Sequence, residues 1–192
     1  MNYEIDFLPV GNGDKSGDAI CLRWEENDIY KVMIIDGGSK ESGQKLVDHI
    51  KKYYDTTKVD YVINTHPDQD HASGLSVVLE QLDVKELWIH RPWNYTYEII
   101  DYFKDRRITA ESLKKRLELS FSYVKPLEEI ANTKGITIKE PYQGEMIGIF
   151  EVLSPSKYWY LHDLIPDFSK TPDKKENIFT EAFESMKETV LS

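Results

Sequence analysis

A polar turn between an apolar strand and an apolar helix constrains this chain more than any other stretch. Two histidines and two aspartates fall within six consecutive positions, His66-Pro67-Asp68-Gln69-Asp70-His71. The β-branched run 59–64 precedes them, and apolar residues then recur with the spacing of one helix face, at 75, 78, 79 and 82. A turn placed in this way lies at a strand end of an α/β sheet, where ligand crevices open.

The composition of this turn favours a metal-binding role. Imidazole nitrogens and carboxylate oxygens are ligands that zinc, iron and manganese accept. Without a cation, Asp68 and Asp70 would repel each other while partly desolvated. The alternative is that one aspartate caps the helix and the histidines face solvent. Because a capping aspartate needs no flanking histidines, we predict four metal ligands: His66, Asp68, Asp70 and His71.

The same run resembles the His-x-His-x-Asp-His signature of the metallo-β-lactamase fold, with Asp68 in place of the second histidine. This variant is similar to the His-x-Asp-x-Asp-His form of the competence-protein hydrolases, which act in DNA uptake. Two earlier stretches agree with it. Residues 13–20 resemble the glycine-aspartate hairpin that opens those domains, and residues 34–38 resemble the strand end before the metal motif.

The resemblance implies a two-metal hydrolase with an αβ/βα sandwich fold. His66 and Asp68 would hold one ion, and Asp70 and His71 the other. Water activated by the ions would attack a phosphoryl or carbonyl group, and Asp70 would accept its proton. Asp36 would orient a ligand histidine; direct ligation and an ordinary turn aspartate are its alternatives. Zinc is the first choice of cofactor. Manganese or iron competes with it because the Asp68 carboxylate is a harder ligand than the histidine that it replaces.

Length, charge and cysteine content limit the number of domains, the kinds of partner and the cellular compartment that this chain can have. The 192 residues suit one domain, 1–192, with the composition of a soluble globular protein. A net charge of −10 argues against broad attraction to nucleic acid or anionic membrane. The lone Cys21 excludes an internal disulfide and fits a reducing compartment. With no signal-peptide pattern and no apolar run of transmembrane length, we predict a cytoplasmic protein without a membrane partner.

Strand and helix patterns alternate along the first half of the chain. Strand patterns cover 5–10, 19–24 and 30–35, and a helix pattern covers 43–54. The motif strand and its helix follow. This alternation predicts the α/β class, with a parallel core sheet covered by helices. His49 lies on the polar flank of the first helix, so we expect it to be solvated.

A further strand pattern ends before Pro92, and His90 stands at its carboxyl end. This is the same sheet edge as the polar turn. We therefore name His90 as a candidate catalytic residue, either a substrate contact or a general acid. A histidine packed in the rim between Trp88 and Trp93 is an equally open interpretation.

The pattern turns helical over about 94–135, which predicts a helical insertion. Its centre carries six basic residues: Lys104, Arg106, Arg107, Lys114, Lys115 and Arg116. A solvated helix face explains them; a patch bordering the polar turn would suit a phosphate-bearing substrate or nucleic acid. Strand patterns resume at 136–139 and 146–153, and a C-terminal helix is predicted at about 174–191.

The resemblance also predicts that this chain lacks part of the family's set of metal ligands. In relatives, a later strand end supplies a third metal histidine, and the matching position here is Ser154. The bridging aspartate and final histidine of the family's second half have no match after it. We therefore expect the N-terminal part of a longer hydrolase, completed by a C-terminal half or a second chain, or a half-domain. Alone, the 192 residues should hold at most one metal, loosely, and be weakly active or inactive.

Two functional hypotheses follow. The first is a metal-dependent hydrolase, specifically a phosphodiesterase or nuclease, because the branch resemblance and the basic insertion both point to phosphodiester bonds. The second is a non-catalytic or regulatory half-domain that docks a partner chain. Four Trp and twelve Tyr suit this second role, since aromatic residues are enriched at interface cores.

Overall fold

A computed structural model describes residues 2–10, 17–103 and 107–168. The chain divides into two compact units. The first contains Met1–His90 and Phe121–Pro141, and the second contains Arg91–Ser120 and Tyr142–Ser192. Within the described ranges, no helix has the length and apolar character needed to cross a membrane.

The first unit is built on a six-stranded sheet in which every strand neighbours the next one along the chain. Its strands are β1 (Tyr3–Phe7), β2 (Ile20–Glu26), β3 (Ile29–Ile35), β4 (Lys58–Ile63), β5 (Asp83–Trp88) and β6 (Thr137–Lys139). The pairs β1–β2 and β2–β3 are antiparallel, and the pairs from β3 to β6 are parallel. The predicted α/β class with a parallel core sheet is therefore confirmed.

Three helices connect the parallel strands: α1 (Lys40–Tyr53), α2 (Gln69–Gln81) and α5 (Lys125–Lys134). The helix α2 packs against both α1 and α5, so the three helices form one layer, as the usual right-handed crossovers between parallel strands lead one to expect. One row across the sheet faces these helices, and Ile34, Val62 and Leu87 in it are fully buried. Burial of such side chains supplies most of the stability of the layer.

Glycines let α1, α2 and the turn after β3 approach closely. A Cβ atom at Gly74 would lie 1.9 Å from the Gly37 carbonyl oxygen, and one at Gly43 would lie 2.2 Å from the Gly74 oxygen. The close approach allows backbone hydrogen bonds across the contact, from Gly37 to His71 and from Gly74 to Gly38, both 2.8 Å long. These contacts fix the start of α2 against the end of β3.

Gly74→Ala is expected to lower the free energy of unfolding by about 3 kcal/mol, because the added methyl meets backbone that cannot rotate away. Helix propensity alone would predict a gain of about 1 kcal/mol from the same change. Urea unfolding measures the difference. Glu80→Ala, an exposed change in the same helix, is the control and should shift stability by less than about 0.5 kcal/mol. A neutral Gly74→Ala would contradict the close packing.

The second unit contains short helices and a small hairpin. The helices are α3 (Thr96–Ile99), α4 (Ala110–Ser120), α6 (Lys157–Trp159) and α7 (Ile165–Phe168), with 3-10 turns at Pro92–Asn94 and Ile100–Tyr102 and a π-helical turn at Tyr160–Leu164.

The prediction of a single strand at 146–153 is wrong. Gly148, with φ +61, turns the chain, so β7 (Met146–Ile147) pairs with β8 (Phe150–Glu151). The helix predicted at about 174–191 lies outside the described residues. The single domain 1–192 and the insertion at about 94–135 stay predictions.

Candidate metal centre

The polar turn lies at the carboxyl ends of β3 and β4, which are neighbouring parallel strands. Asp36 directly follows β3, and its backbone N–H donates to the Ile63 carbonyl, the last residue of β4. Residues 64–68 then lead from β4 into α2. Both loops therefore open at the sheet edge where ligands bind in α/β folds.

Asp36 is the buried acceptor at the centre of this site. Its side chain is only 2% exposed, and it accepts hydrogen bonds from the backbone N–H of Thr65 at 2.8 Å and from the Thr65 hydroxyl. Asn64 donates more weakly, at 3.4 Å. The same carboxylate lies 3.0 Å from Nδ1 of His71. Asp36 has φ +55, a conformation that aspartate tolerates better than most side chains.

These hydrogen bonds fix which ring nitrogen of each histidine is left for a ligand. Nδ1 of His71 donates to Asp36, so the lone pair of that ring lies on Nε2. The Thr65 hydroxyl has one hydrogen and donates it to Asp36. Nδ1 of His66, 2.9 Å from that hydroxyl oxygen, must then be the donor, which again leaves Nε2. Asp36 thus sets the tautomer of both rings, directly for His71 and through Thr65 for His66.

The two rings and one carboxylate lie close together. The His66 and His71 ring centroids are 3.6 Å apart, and Nε2 of His66 is 3.6 Å from a carboxylate oxygen of Asp68. Asp68 occupies the N-cap position of α2, but its side chain makes no capping hydrogen bond. The interpretation of Asp68 as a helix-capping side chain is therefore wrong; the carboxylate is turned toward His66.

Further acidic groups surround the histidines. Asp70 lies in the first turn of α2 and adds negative charge at both rings, and Asp18 lies 3.9 Å from Nδ1 of His71. Gly17 places this N-terminal segment against the motif, since a Cβ there would be 1.6 Å from the Asp70 carbonyl oxygen. The sequence showed Gly17 and Asp18 as part of a resemblance, without a role at the turn.

The pKa shifts reflect this balance of burial and charge. Burial lowers the pKa of His66, with help from His71. Burial also acts to lower the pKa of His71, but the hydrogen bond and charge of Asp36 outweigh it, so that pKa is raised. Burial raises the pKa of Asp68, and Asp70 adds to the rise. A cation between these groups would relieve both the desolvation and the repulsion between carboxylates.

The two histidines belong to a group of side chains that could hold a divalent ion. Ligand atoms of Asp36, His66 and His71 lie within 4.8 Å of one another. Both carboxylate oxygens of Asp36 already accept hydrogen bonds, so the residues that would hold the ion are His66 and His71 through Nε2 and Asp68 through its carboxylate. Asp70 is half-buried beside them. The assignment of these four residues as ligands stays a prediction.

His90 lies apart from this group of ligand atoms, just beyond the end of β5. Burial lowers the pKa of His90 to about 3, so its ring is neutral at neutral pH. A general acid must carry a proton that it can give up, and burial disfavours that form here. Its catalytic role stays a prediction, and a contact through the neutral ring suits its surroundings better.

His90 should make the folded state sensitive to acid. Its ordinary pKa is 6.5, and because burial depresses it when folded, the unfolded chain binds the extra proton as pH falls below that value. Stability is therefore present above about pH 6.5 and is lost toward pH 3, by about 1.4 kcal/mol per pH unit. Urea unfolding between about pH 6 and pH 5 should show wild type losing about 1 kcal/mol more than His90→Gln. Equal losses would contradict the burial of this ring.

The predicted basic patch is described only in part. Lys104 and Arg106 lie outside the described residues, and Arg107 is exposed. Lys114, Lys115 and Arg116 are exposed on α4, in the second unit. A role of this patch at the polar turn stays a prediction.

Comparison with known proteins gives a family match. The model of the metallo-beta-lactamase superfamily matches residues 30–151. Two curated isoleucine–tRNA ligases, from Desulfitobacterium hafniense strains Y51 and DSM 10664 / DCB-2, are 25% and 24% identical over 174 residues. Each alignment covers 82% of this chain and 18% of the ligase. The chain thus spans about a fifth of the length of these relatives.

Solved structures give a weaker likeness. A subclass B3 metallo-beta-lactamase from a soil metagenome library has 14% identity and a TM-score of 0.40, over 75% of this chain and 45% of that one. The metallo-beta-lactamase SMB-1, bound to 2-mercaptoethanesulfonate, has 12% identity and a TM-score of 0.39, over 74% and 46%. Because both TM-scores are below 0.5, the family rests on the match of the family model.

Proposed function

We propose that this chain, which belongs to the metallo-beta-lactamase superfamily, is a metal-dependent hydrolase. Its active site is the polar turn, and its substrates are phosphodiesters. Family membership supports metal-dependent hydrolysis in general. The observation that carries the site is the pair of imidazole rings 3.6 Å apart, each with its Nδ1 held by a hydrogen bond, beside the Asp68 carboxylate. Zinc remains the first choice of ion, with manganese or iron as alternatives.

A bound divalent ion supplies Lewis acidity, which stabilises negative charge on the attacking water and on the scissile group. The chain's own residues prepare the site for it. Asp36 keeps hydrogen on Nδ1 of both histidines, so that Nε2 presents a lone pair. Asp70 is the proposed acceptor for the proton of the attacking water. The aspartates around the rings make the site attractive to a cation before any substrate arrives.

The choice of a phosphodiester substrate is supported by two features. The His-x-Asp-x-Asp-His pattern resembles hydrolases that act in DNA uptake, and the exposed basic residues of α4 suit a phosphate-bearing substrate or nucleic acid. The overall charge of −10 limits any such attraction to a local patch.

A substrate comparison tests this function. The purified chain, loaded with manganese or zinc, is assayed with a chromogenic bis-aryl phosphodiester, a thioester and a chromogenic β-lactam. We expect slow, metal-dependent hydrolysis of the phosphodiester, which His66→Ala/His71→Ala abolishes. Preference for the thioester or the β-lactam would reject the phosphodiester assignment. Equal rates in the double variant would reject the polar turn as the active site.

One observation favours the second hypothesis, a half-domain that docks a second chain. The edge strand β1 exposes three large apolar side chains on one face, Tyr3 (74%), Ile5 (50%) and Phe7 (75%). An apolar strip of this kind is typical of a protein interface. Under this alternative the wild type associates in solution and Ile5→Ser/Phe7→Ser does not, as light scattering after gel filtration would show. A monomeric wild type would count against association between copies.

A further inference from the structure

A second group of metal-capable side chains lies on elements other than the polar turn. Asp6 on β1, Cys21 on β2 and His49 on α1 each offer one ligand atom, and these three atoms lie within 4.8 Å of one another. We call this group the Cys21 cluster. The prediction that His49 is solvated is wrong, because its side chain is only 15% exposed. The edge strand reaches the flank of α1, which a helical wheel of α1 alone does not show.

The sheet register builds this cluster. Asp6 and Cys21 are directly opposite each other in the β1–β2 pair, in the row that faces α1. Nε2 of His49 lies 3.1 Å from a carboxylate oxygen of Asp6, and the Tyr54 hydroxyl donates to the same oxygen at 2.7 Å. Cys21 is completely buried, whereas 29% of the Asp6 side chain is exposed. An ion could therefore enter past Asp6 and His49 and reach the thiol.

The chemistry of the three side chains suits zinc. Zinc binds cysteine sulfur at about 2.3 Å and histidine nitrogen or carboxylate oxygen at about 2.0–2.2 Å, so its ligand atoms lie roughly 3.5 Å apart. In the Cys21 cluster the Asp6 and His49 ligand atoms are 3.1 Å apart, and all three ligand atoms lie within 4.8 Å of one another, so small shifts would bring them around one ion. A dication with one thiolate and one carboxylate leaves the cluster formally neutral, which limits the cost of burying charge.

We propose that Asp6, Cys21 and His49 form a second metal site, which takes a thiophilic divalent cation such as zinc and ties the edge strand β1 to α1. Binding forms a sulfur–metal bond while the thiol releases its proton to solvent, with no change in oxidation state. Burial raises the pKa of Cys21 to about 12, so without an ion the thiol keeps that proton.

Cobalt titration tests the proposal in the full chain. The sequence contains one cysteine, so a near-ultraviolet thiolate-to-cobalt charge-transfer band can arise only at Cys21. We expect the band to saturate at one ion per chain and to persist in His66→Ala/His71→Ala. In Cys21→Ser the band should be absent, while weaker visible bands from cobalt at the polar turn remain.

Two further variants keep the thiol and remove one other ligand each. His49→Asn and Asp6→Asn should each weaken the cobalt affinity reported by the band at least about 10-fold. Absence of the band in folded wild-type protein at saturating cobalt would overturn the proposal. So would a band of unchanged affinity in both variants, checked to be folded by circular dichroism. Either result would leave Asp6, His49 and Tyr54 as a hydrogen-bonded contact alone.

Discussion

Replacing His66 and His71 together by alanine is expected to lower divalent-metal affinity at the polar turn by more than about 100-fold. Their Nε2 atoms are the two imidazole donors of the site, and Asp68 alone cannot replace them. Calorimetric titration with zinc and manganese, in a Cys21→Ser background that removes the thiol of the other cluster, measures the change. Circular dichroism should show a folded variant, because turn residues contribute less packing than core positions.

His162→Ala is the matched control, since it removes a histidine from the second unit and should leave this affinity unchanged. In the Cys21→Ser background, we expect the chain with both His66 and His71 to bind at most one ion, loosely. A stoichiometry near two with submicromolar affinity would show that a further donor, such as His90 or Asp36, belongs to the ligand set. Unchanged binding in the double variant would show that the polar turn is not a metal site.

Local patterns predicted the central part of the fold because each element there carries its own periodicity. The strand before His66 and the helix after it could be read directly, and alternation of the two kinds of element gave the parallel sheet. The prediction of one strand at 146–153 fails because an apolar run does not show where the chain turns, and Gly148 reverses the chain there. The prediction of a solvated His49 fails because its partner Asp6 lies 43 positions away in the sequence.

In the candidate site, too, local sequence predicts some features and only the fold shows the others. His66, Asp68, Asp70 and His71 are adjacent in sequence, so their grouping needs no knowledge of the fold. The contact between Asp36 and His71 spans 35 positions, and only the family resemblance predicts it. Nothing in the sequence marks the Thr65 hydroxyl as the link between Asp36 and His66, because a threonine in a turn has many ordinary roles.

Replacing Asp36 should therefore affect both histidines. In Asp36→Asn the buried carboxylate charge is lost while the size of the side chain and its tolerance of positive φ are kept. We expect metal affinity at the turn to fall about 10- to 100-fold. In the metal-free chain, the pKa of His71 should fall, because burial is then opposed only by the charges of Asp70 and Asp18. Histidine ring NMR measures that change apart from any metal.

Two companion variants separate the contributions of Asp36. Thr65→Val removes the hydroxyl that joins Asp36 to His66 but keeps the contact between Asp36 and His71, so it should weaken metal binding while the raised pKa of His71 remains. Asp36→Ala leaves the Thr65 N–H and the His71 ring without their acceptor, and we expect it to cost about 3 kcal/mol of unfolding free energy. If Asp36→Asn kept both the metal affinity and the His71 pKa of the wild type, Asp36 would not be the residue that orients the two rings.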